Sequence, residues 1–418
     1  MKNSNVNKDL LKCHFVKEYL LSNNISVSTF SNNVGFSKDY IYEVFSGKKS
    51  FSDTLFHKVL TKYSLTYCDE YSFYDEGLNF VIHLFEAIVS MDKSHFLNVY
   101  QNYTQQRLKL SSSCGFVFDE MIDAMHCIIN GDKDNCRTLL QDCRRKLPCF
   151  NDTAAYIYLI VFCLTHYINK DYSIIKDELS YISRNYSLEE TSSAVKGMYY
   201  YRLGLLYDYE IDYIKSYQYY QMAKDAFKDI YCLQRSLLCD IQMCSIYAYI
   251  GQYDQAITSI NKTISICIRN KYTRIITSCY HNLIYFKMLN RQYDELFEII
   301  SAYKTIDATR DRILLYEVIY LYKTNAISEC KDAMYKFKYH HSNKYINHFL
   351  KLIDGLITNN DSKIDSSLNY LIEYNVKDND VIEIKMIYQL VLDHYQLHDN
   401  KDLYYKNLES YTKILNLI

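Results

Sequence analysis

The sequence is poor in the residues that interrupt regular structure. Its 418 residues include one proline, Pro148, nine glycines and no tryptophan. A β-sandwich or barrel needs turn residues about every 8–12 positions, so this scarcity argues against both. Neither GxGxxG nor GxxxxGK[ST] occurs, which argues against a nucleotide-binding α/β fold. What remains is a set of helices joined by short polar loops, and the sequence therefore predicts an all-α protein.

The fourteen cysteines form no metal-binding or disulfide pattern. None belongs to a CxxC pair, and the closest group, Cys136, Cys143 and Cys149, has no histidine at zinc-site spacing. The N-terminus lacks the apolar core of a signal peptide, and the longest nearly uncharged apolar run, 154–164, is too short to span a membrane. We therefore expect a cytoplasmic protein with reduced thiols and with no metal, cofactor or membrane association.

Charge is distributed unevenly along the chain. Residues 1–66 contain nine lysines and five acidic residues, whereas the whole chain has a formal charge of −2. A basic head on an acidic body fits a head that contacts phosphates, but an excess of this size also arises by ordinary scatter. Charge alone leaves both interpretations open.

Residues 7–66 carry the signals of four short helices. In chain order, these are 8–21, then 27–34 with Ser26 as N-cap, 38–45 with Ser37 as N-cap, and a fourth after Ser52. Gly35 ends the second helix and Gly47 ends the third. Two short helices around a glycine-containing turn are typical of a helix-turn-helix, and the stretch 27–60 resembles the phage-repressor-like helix-turn-helix family. We predict a helix-turn-helix DNA-binding domain over residues 1–66.

The third helix of this head is the expected reader of DNA. A recognition helix lies in the major groove with its first residues against the base edges, and the loop after it contacts phosphates. The residues placed on DNA in this way are Ser37, Lys38, Asp39 and Tyr42 for the bases, and Lys48 and Lys49 for the phosphates. N-capping by Ser37 and a helix-dipole role for Asp39 are the structural alternatives.

An internal repeat occupies the rest of the chain. Three segments of equal spacing align without gaps, beginning at Ile211, Gly251 and Arg291, and a helical segment precedes each. Continued in both directions, the pattern gives about nine helix pairs. The aromatic, Leu-Gly and Ala positions between 197 and 223 resemble the tetratricopeptide repeat. The sequence predicts a right-handed tetratricopeptide-repeat solenoid over residues 78–418, after an acidic linker, 67–77.

A repeat array of this kind presents a concave surface to an extended ligand. Its inner surface comes from the first helix of each pair, at the second, fifth, sixth, ninth and twelfth positions. These positions select Tyr201, Arg202, Gln242, Ser245, His281, Asn282, Tyr285, Arg312 and Tyr316 as candidate peptide contacts. Amide side chains can bond both the N–H and the C=O of a peptide, and arginine can bind a carboxylate with two hydrogen bonds. Asn282 and Tyr285 have the alternative role of tying neighbouring helices together.

The order of a repressor-like head and a tetratricopeptide array resembles the peptide-pheromone receptors of Gram-positive bacteria and their phages, the RRNPP superfamily. The number of helix pairs is nearer its longer members, the NprR-like regulators and the arbitrium receptors. The resemblance implies a cytosolic homodimer that binds operator DNA through paired heads. It also implies a short signalling oligopeptide that binds the concave face and changes DNA binding. Promotion and release of DNA binding are both compatible with the resemblance. The expected hinge is the segment 66–76.

Two other functions remain compatible with the same pattern. The array could instead bind a phosphorelay or response-regulator protein, with a secondary or vestigial DNA-binding head, or serve as a scaffold without a small ligand. The lysines of the head argue against a vestige. No GxSxG, HExxH or other pairing of a nucleophile with a base occurs in the chain, so we expect no enzymatic activity.

Overall fold

The computed structural model describes residues 7–167, 171–306, 311–338, 343–377 and 380–417. Within these residues the regular elements are helices, apart from an isolated bridge between Cys68 and Ser113. The predicted all-α class is confirmed. The chain divides into two compact units, one formed by Met1–Arg202 and Asp225–Cys232, the other by Leu203–Lys224 and Leu233–Ile418.

Four short helices form the head, and serine caps set where three of them begin. The helices are α1 Lys8–Ser22, α2 Val27–Val34, α3 Lys38–Phe45 and α4 Asp53–Tyr63. The hydroxyls of Ser26, Ser37 and Ser52 accept hydrogen bonds from the backbone N–H three residues ahead, at 3.1, 3.2 and 3.3 Å. Gly35 ends α2 with a φ of 72°, a left-handed conformation that glycine adopts without steric cost. These helices agree closely with the predicted spans.

The head has a core of its own. One apolar face of each helix supplies it, together with Phe51 from the loop before α4. Its buried side chains are Cys13, Val16, Leu20, Phe30, Val34, Ile41, Val44, Phe51, Leu55, Phe56 and Val59.

The α-helices that follow the head within the described residues form nine consecutive pairs. They are α5 Tyr71–Ser90, α6 Lys93–Ser111, α7 Asp119–Asn130, α8 Lys133–Arg145, α9 Asp152–Tyr167, α10 Tyr172–Asn185, α11 Ser193–Tyr209, α12 Tyr213–Asp229, α13 Leu233–Tyr249, α14 Tyr253–Arg269, α15 Thr273–Leu289, α16 Leu296–Ile306, α17 Asp311–Lys323, α18 Ile327–Lys338, α19 Lys344–Thr358, α20 Asp361–Lys377, α21 Val381–Leu397 and α22 Lys401–Leu417. Two short 3₁₀ helices, Cys114–Phe118 and Leu147–Cys149, lie among the first of them.

Close helix approach in the best tetratricopeptide match depends on a glycine. A Cβ atom at Gly204 would lie 2.6 Å from the ring of Tyr220, so only glycine lets this ring pack against α11. The hydroxyl of Ser216 donates to the carbonyl of Gly204 at 2.9 Å and holds the same contact. The glycine of the Leu-Gly motif is therefore required by the close packing of Tyr220 on α11.

The segment predicted as a linker, 67–77, is largely helical, which corrects that boundary. Helix α5 begins at Tyr71, and the backbone of Cys68 pairs with the segment before Cys114. The hydroxyl of Tyr74 donates to the carbonyl of Cys149 at 3.0 Å, and Gly77 is buried against Phe118. Tyr74 and Gly77 extend the apolar stripe of α5, but neither is an aliphatic residue, so the sequence does not show this periodicity.

Helix α1 packs directly on the first repeats, within the first unit. The rings of Phe15 and Phe116 meet edge to face, with centroids 5.5 Å apart. The carboxylate of Glu18 lies 3.7 Å from Nε of Arg145. The head is thus in contact with both 3₁₀ helices through α1, and the expectation of a hinge over 66–76 does not fit these contacts.

In the second unit, α21 contacts helices far earlier in the chain. Nζ of Lys385 donates to the carbonyl of Tyr249 at 2.7 Å, and the guanidinium of Arg291 pairs with Asp393 at 2.7 Å. Helix α21 therefore packs on α13 and α15 as well as on its sequence neighbours. No helix in the described part of the chain is both long and apolar enough to cross a bilayer.

Candidate functional site

A polar cavity of about 810 Å³ lies in the second unit, among the first helices of consecutive pairs. Hydroxyl, amide and aromatic side chains dominate its lining. The lining residues are Ile241, Gln242, Ser245, Tyr249, Ser278, His281, Asn282, Tyr303, Arg312, Leu315, Asn343, Tyr345, Ile346 and Tyr374. Five predicted peptide contacts are brought together here: Gln242, Ser245, His281, Asn282 and Arg312.

The repeat register explains why Gln242 and Asn282 share this wall. Helices α13 and α15 start at equivalent points of successive repeats, Leu233 and Thr273, so the two amides occupy the same position of their helices. The Nδ2 atom of Asn282 donates to the hydroxyl of Ser245 at 3.4 Å. This contact is long, and it leaves the amide oxygen of Asn282 free to accept a further hydrogen bond.

A buried carboxyl group from α21 lies behind the cavity wall and holds its residues in place. Glu383 is 1% exposed and accepts hydrogen bonds from the hydroxyls of Tyr285 and Tyr345, the latter at 2.6 Å. The Nη1 atom of Arg312 lies 3.4 Å from the same carboxyl group and donates to the Tyr285 hydroxyl at 3.0 Å. Burial raises the pKa of Glu383 to about 8. The network ties α15, α17, α19 and α21 together and fixes the position of Arg312.

Two predicted contacts, Tyr285 and Tyr316, are not among the lining residues and lie buried behind the cavity wall. The Tyr316 hydroxyl and Nδ1 of His281 are 2.5 Å apart, and burial raises the pKa of Tyr316 well above its ordinary value. Tyr285 binds Glu383 instead of facing the cavity. Both tyrosines tie helices together, which is the alternative role considered for Tyr285.

The remaining two candidates, Tyr201 and Arg202, belong to the part of α11 in the first unit. Arg202 is 7% exposed, and its guanidinium carbon lies 5.6 Å from the centroid of the Tyr201 ring. This geometry is a cation–π contact. The two residues are therefore outside the helices that line the cavity of the second unit.

Sequence reasoning missed several residues that line the cavity and one that lies behind its wall. Asn343 and Tyr345 come from the start of α19, in a repeat whose motif is too degraded to align. Glu383 is 98 residues from its partner Tyr285, and no local pattern marks that distance. The one available signal was Glu383 itself, a charged residue on the apolar stripe of α21. The lining can bond an extended polar backbone through amides and hydroxyls and can meet a negative charge through Arg312.

The predicted DNA-contacting residues form an exposed surface at the start of α3 and in the loop after it. Tyr42 is 50% exposed, and Nζ of Lys38 lies 5.7 Å from the centroid of its ring. Lys49 pairs with Glu43 at 2.6 Å. Ser37 caps α3, as its structural alternative predicted. The exposed members of this surface are Ser37, Lys38, Asp39, Tyr42, Lys48 and Lys49.

No group of three or more histidine, cysteine, aspartate or glutamate residues within the described ranges is arranged to hold a metal ion. The cysteines are free thiols, and most of them are buried. Burial raises the pKa of Cys136 to about 11 and of Cys163 to about 12. These thiols fill positions of close helix approach and are poor nucleophiles at neutral pH.

No protein-family model matches the chain, and no curated protein matches it. Solved structures do. A Rap protein complexed with competence and sporulation factor is 10% identical, with a TM-score of 0.67 over 82% of this chain and 98% of that one. NprR in complex with its cognate peptide NprX is 13% identical, with a TM-score of 0.58 over 83% of this chain and 98% of that one. Aspartyl phosphate phosphatase F from Bacillus subtilis is 12% identical, with a TM-score of 0.52 over 84% of this chain and 95% of that one.

These similarities establish the fold of the chain, a helical solenoid of tetratricopeptide type. The predicted resemblance is confirmed at this level, since the structural neighbours are Rap proteins and NprR. Sequence identities of 10–13% extend the likeness no further than the fold.

Proposed function

We propose that the chain is a DNA-binding transcription regulator of quorum-sensing type, a cytoplasmic homodimer whose operator binding is switched by a short signalling peptide. The observation that carries this proposal is the polar cavity containing Gln242, Asn282 and Arg312, in a fold that the chain shares with a protein solved with its cognate peptide. A volume of about 810 Å³ is within the usual range of ligand sites.

The cavity chemistry suits a peptide backbone. An extended peptide has no internal hydrogen bonds, so its N–H and C=O groups need partners wherever water is excluded. Gln242 and Asn282 can each donate and accept, and they lie at equivalent positions of successive repeats. Of the nine candidates, we therefore place the backbone contacts on Gln242, Asn282 and Ser245, and we assign Tyr285 and Tyr316 to supporting the wall.

The head supplies the DNA-binding surface in this proposal. Helix α2, the turn at Gly35 and helix α3 act as a helix-turn-helix, with α3 in the major groove. Lys38 and Tyr42 are exposed at the start of α3 and contact bases, while Lys48 and Lys49 contact phosphates. A dimer places two such helices on half-sites roughly one DNA turn, or a multiple of it, apart.

Switching requires the peptide to bind two arrangements of the repeats with different affinity. Helix α21 is the element best placed to respond, because Glu383 touches Arg312 behind the cavity and Lys385 bonds the carbonyl of the cavity residue Tyr249. A peptide that engages Arg312 competes with Glu383 for it. The contacts between α21 and the cavity wall then change with occupancy.

The proposal is tested by selecting genomic DNA fragments with the purified full-length chain, alone and with peptides that it captures from a random hexapeptide pool. We expect a palindromic fragment whose recovery falls steeply with salt and changes when peptide is present. The double variant K38A/Y42A serves as the matched control that keeps the repeats intact. Fragments recovered equally by both proteins would contradict the assignment of α3.

A second function is favoured by the packing of α1 on the first repeats. The head then acts as part of an interaction surface for a phosphorelay or response-regulator protein, a partner suggested by the likeness to aspartyl phosphate phosphatase F. Recovery of no DNA above background, with and without captured peptide, together with stable binding of a response-regulator protein, would favour this function.

A further inference from the structure

A second cavity, of about 280 Å³, lies in the second unit on the side of α21 away from Glu383. Lys385, Gln389 and Gln396 line it, and each lies about half a turn or more round the helix from Glu383. None of the residues that line this second cavity lines the polar cavity described above. The two cavities are therefore separate sites on different faces of the same helix.

Cations outnumber carboxylates at the second cavity. Arg291 and Lys385 line it, together with a single carboxylate, that of Asp393. Asp393 is already bound by two cations, because the Arg291 guanidinium and the Nζ atom of Lys323 each lie 2.7 Å from one of its oxygens. In this part of the described chain, three positive charges therefore share one negative charge.

Lys385 is the cation of this group that has no carboxylate. Its Nζ atom donates to the carbonyl of Tyr249 at 2.7 Å, and within the described residues no carboxylate forms an ion pair with it. The side chain is half-buried, and this burial lowers the pKa of Lys385. An ammonium group that is partly removed from water and bonded to a neutral carbonyl is stabilised by an anion that enters the cavity.

Neutral hydrogen-bond donors complete the lining. The hydroxyls of Tyr253, Tyr404 and Tyr411 and the side-chain amide of Gln396 belong to residues of the same cavity. Burial raises the pKa of Tyr411 to about 12, so its hydroxyl keeps its proton and can donate. The lining therefore suits a ligand that is rich in acceptor oxygens.

We propose that the second cavity binds a small oxyanion, with Lys385 and Arg291 as its cationic contacts and the tyrosine hydroxyls as neutral donors. A volume of about 280 Å³ is slightly below the usual range of drug-sized ligand sites, so the occupant is small. Phosphate and carboxylate groups both present oxygens that ammonium and guanidinium groups bind with charge-assisted hydrogen bonds. This site goes beyond the proposed peptide cavity and is independent of it.

Thermal unfolding of the full chain, followed by circular dichroism, tests the site with two probes, inorganic phosphate and succinate. Each probe is titrated beside a sodium chloride series of equal ionic strength. A ligand that binds the folded chain raises its Tm as the ligand concentration rises. We expect Tm to rise more with phosphate, with succinate or with both than with chloride. A response to phosphate alone identifies a phosphate group as the ligand, a response to succinate alone identifies a carboxylate, and a response to both identifies a general oxyanion site.

Variants separate binding in the cavity from general salt effects, because phosphate also stabilises folded proteins without binding at a site. We expect K385M to lose the additional rise in Tm and to bind the responding anion about tenfold or more weakly in titration calorimetry. R291Q, which changes an exposed side chain, should also weaken binding. The matched control is K262M, which removes an exposed lysine of α14 outside the cavity and should respond like the parent.

Two results would overturn the proposal. One is a parent Tm that rises no more with phosphate or succinate than with chloride. The other is a full anion response in both K385M and R291Q, since the response would then arise elsewhere on the chain. If K385M does not fold, R291Q alone decides between these outcomes. Either result leaves the peptide-binding proposal standing, because that proposal uses other residues.

Discussion

The head and the cavity of the second unit are built from opposite kinds of sequence information. Each head helix starts and ends at a local signal, such as the hydroxyl of Ser26 at the start of α2 and the left-handed Gly35 at its end. The cavity is organised by Glu383, whose partners Tyr285, Arg312 and Tyr345 come from three other helices. Signals that lie a few residues apart can be recognised in a single sequence. The contact between Tyr285 and Glu383, which are 98 residues apart, cannot.

This difference predicts that the cavity depends on a few distant contacts and the head on many weak local ones. Replacing Glu383 with alanine leaves the hydroxyls of Tyr285 and Tyr345 buried without their acceptor. We expect the free energy of unfolding to fall by about 2–5 kcal/mol in urea denaturation. The exposed ion pair of Glu373 and Lys377 supplies the control, since solvent screens it and E373A should leave the unfolding free energy nearly unchanged. A similar loss of unfolding free energy in E383A and E373A would contradict the proposal that Glu383 organises the cavity.

The exposed surface of α3 should affect recognition without affecting stability. We expect K38A/Y42A to lose about 2–4 kcal/mol of discrimination between the selected operator and random DNA, because each base contact contributes about 1–3 kcal/mol. Unfolding should change by no more than about 0.5 kcal/mol, since both side chains are exposed. Quantitative footprinting measures the first effect and urea denaturation the second. Retained operator preference in a folded K38A/Y42A protein would place the DNA contacts elsewhere.

The cavity wall should contribute to ligand affinity more than to folding. We expect N282A to weaken binding of a captured peptide by about 1–2 kcal/mol, the loss of one or two hydrogen bonds made in the bound state. Isothermal titration calorimetry measures this change. Gln389, on α21 and not a lining residue of this cavity, gives the comparison variant Q389A, which should retain the parent affinity. Equal affinity for N282A and the parent would move the backbone contacts to other side chains.

The smallest expected effect concerns a single cap of the head. S26A removes the hydroxyl that accepts from the N–H of Thr29, and we expect a loss of about 1 kcal/mol in the stability of the head. Hydrogen exchange of the α2 amides resolves this local loss. The neighbouring exposed Ser28, inside the same helix, is the control, because alanine there removes no cap. Unchanged protection of α2 in S26A would show that packing, and not capping, fixes the start of the helix.

Particular residues show which parts of the fold and of the cavity can be predicted from the sequence. The serine caps and Gly35 predict the bounds of α2 and α3, and the repeat register predicts that Gln242 and Asn282 share one wall. Sequence position alone does not separate a side chain facing the cavity from one facing a neighbouring helix. Tyr285 and Tyr316 therefore fit the pattern of ligand contacts although they bind Glu383 and His281. Tyrosine causes this ambiguity because its ring packs in a core while its hydroxyl seeks a polar partner.

The start of α5 could not be predicted from the sequence for a related reason. The segment around Tyr74 is acidic and lacks a clear helical stripe, which favours a linker. Its helical character depends on the burial of Tyr74 and Gly77 against elements reached later in the chain. Tertiary contacts of this kind override a weak local signal.

The proposal that a peptide switches DNA binding is tested most directly by one titration. The affinity of the full-length chain for the selected palindromic fragment is measured across a salt series, with and without a captured peptide. We expect an affinity that falls steeply with salt and shifts by about tenfold or more when the peptide is present. An affinity for DNA that is identical with and without bound peptide would contradict it.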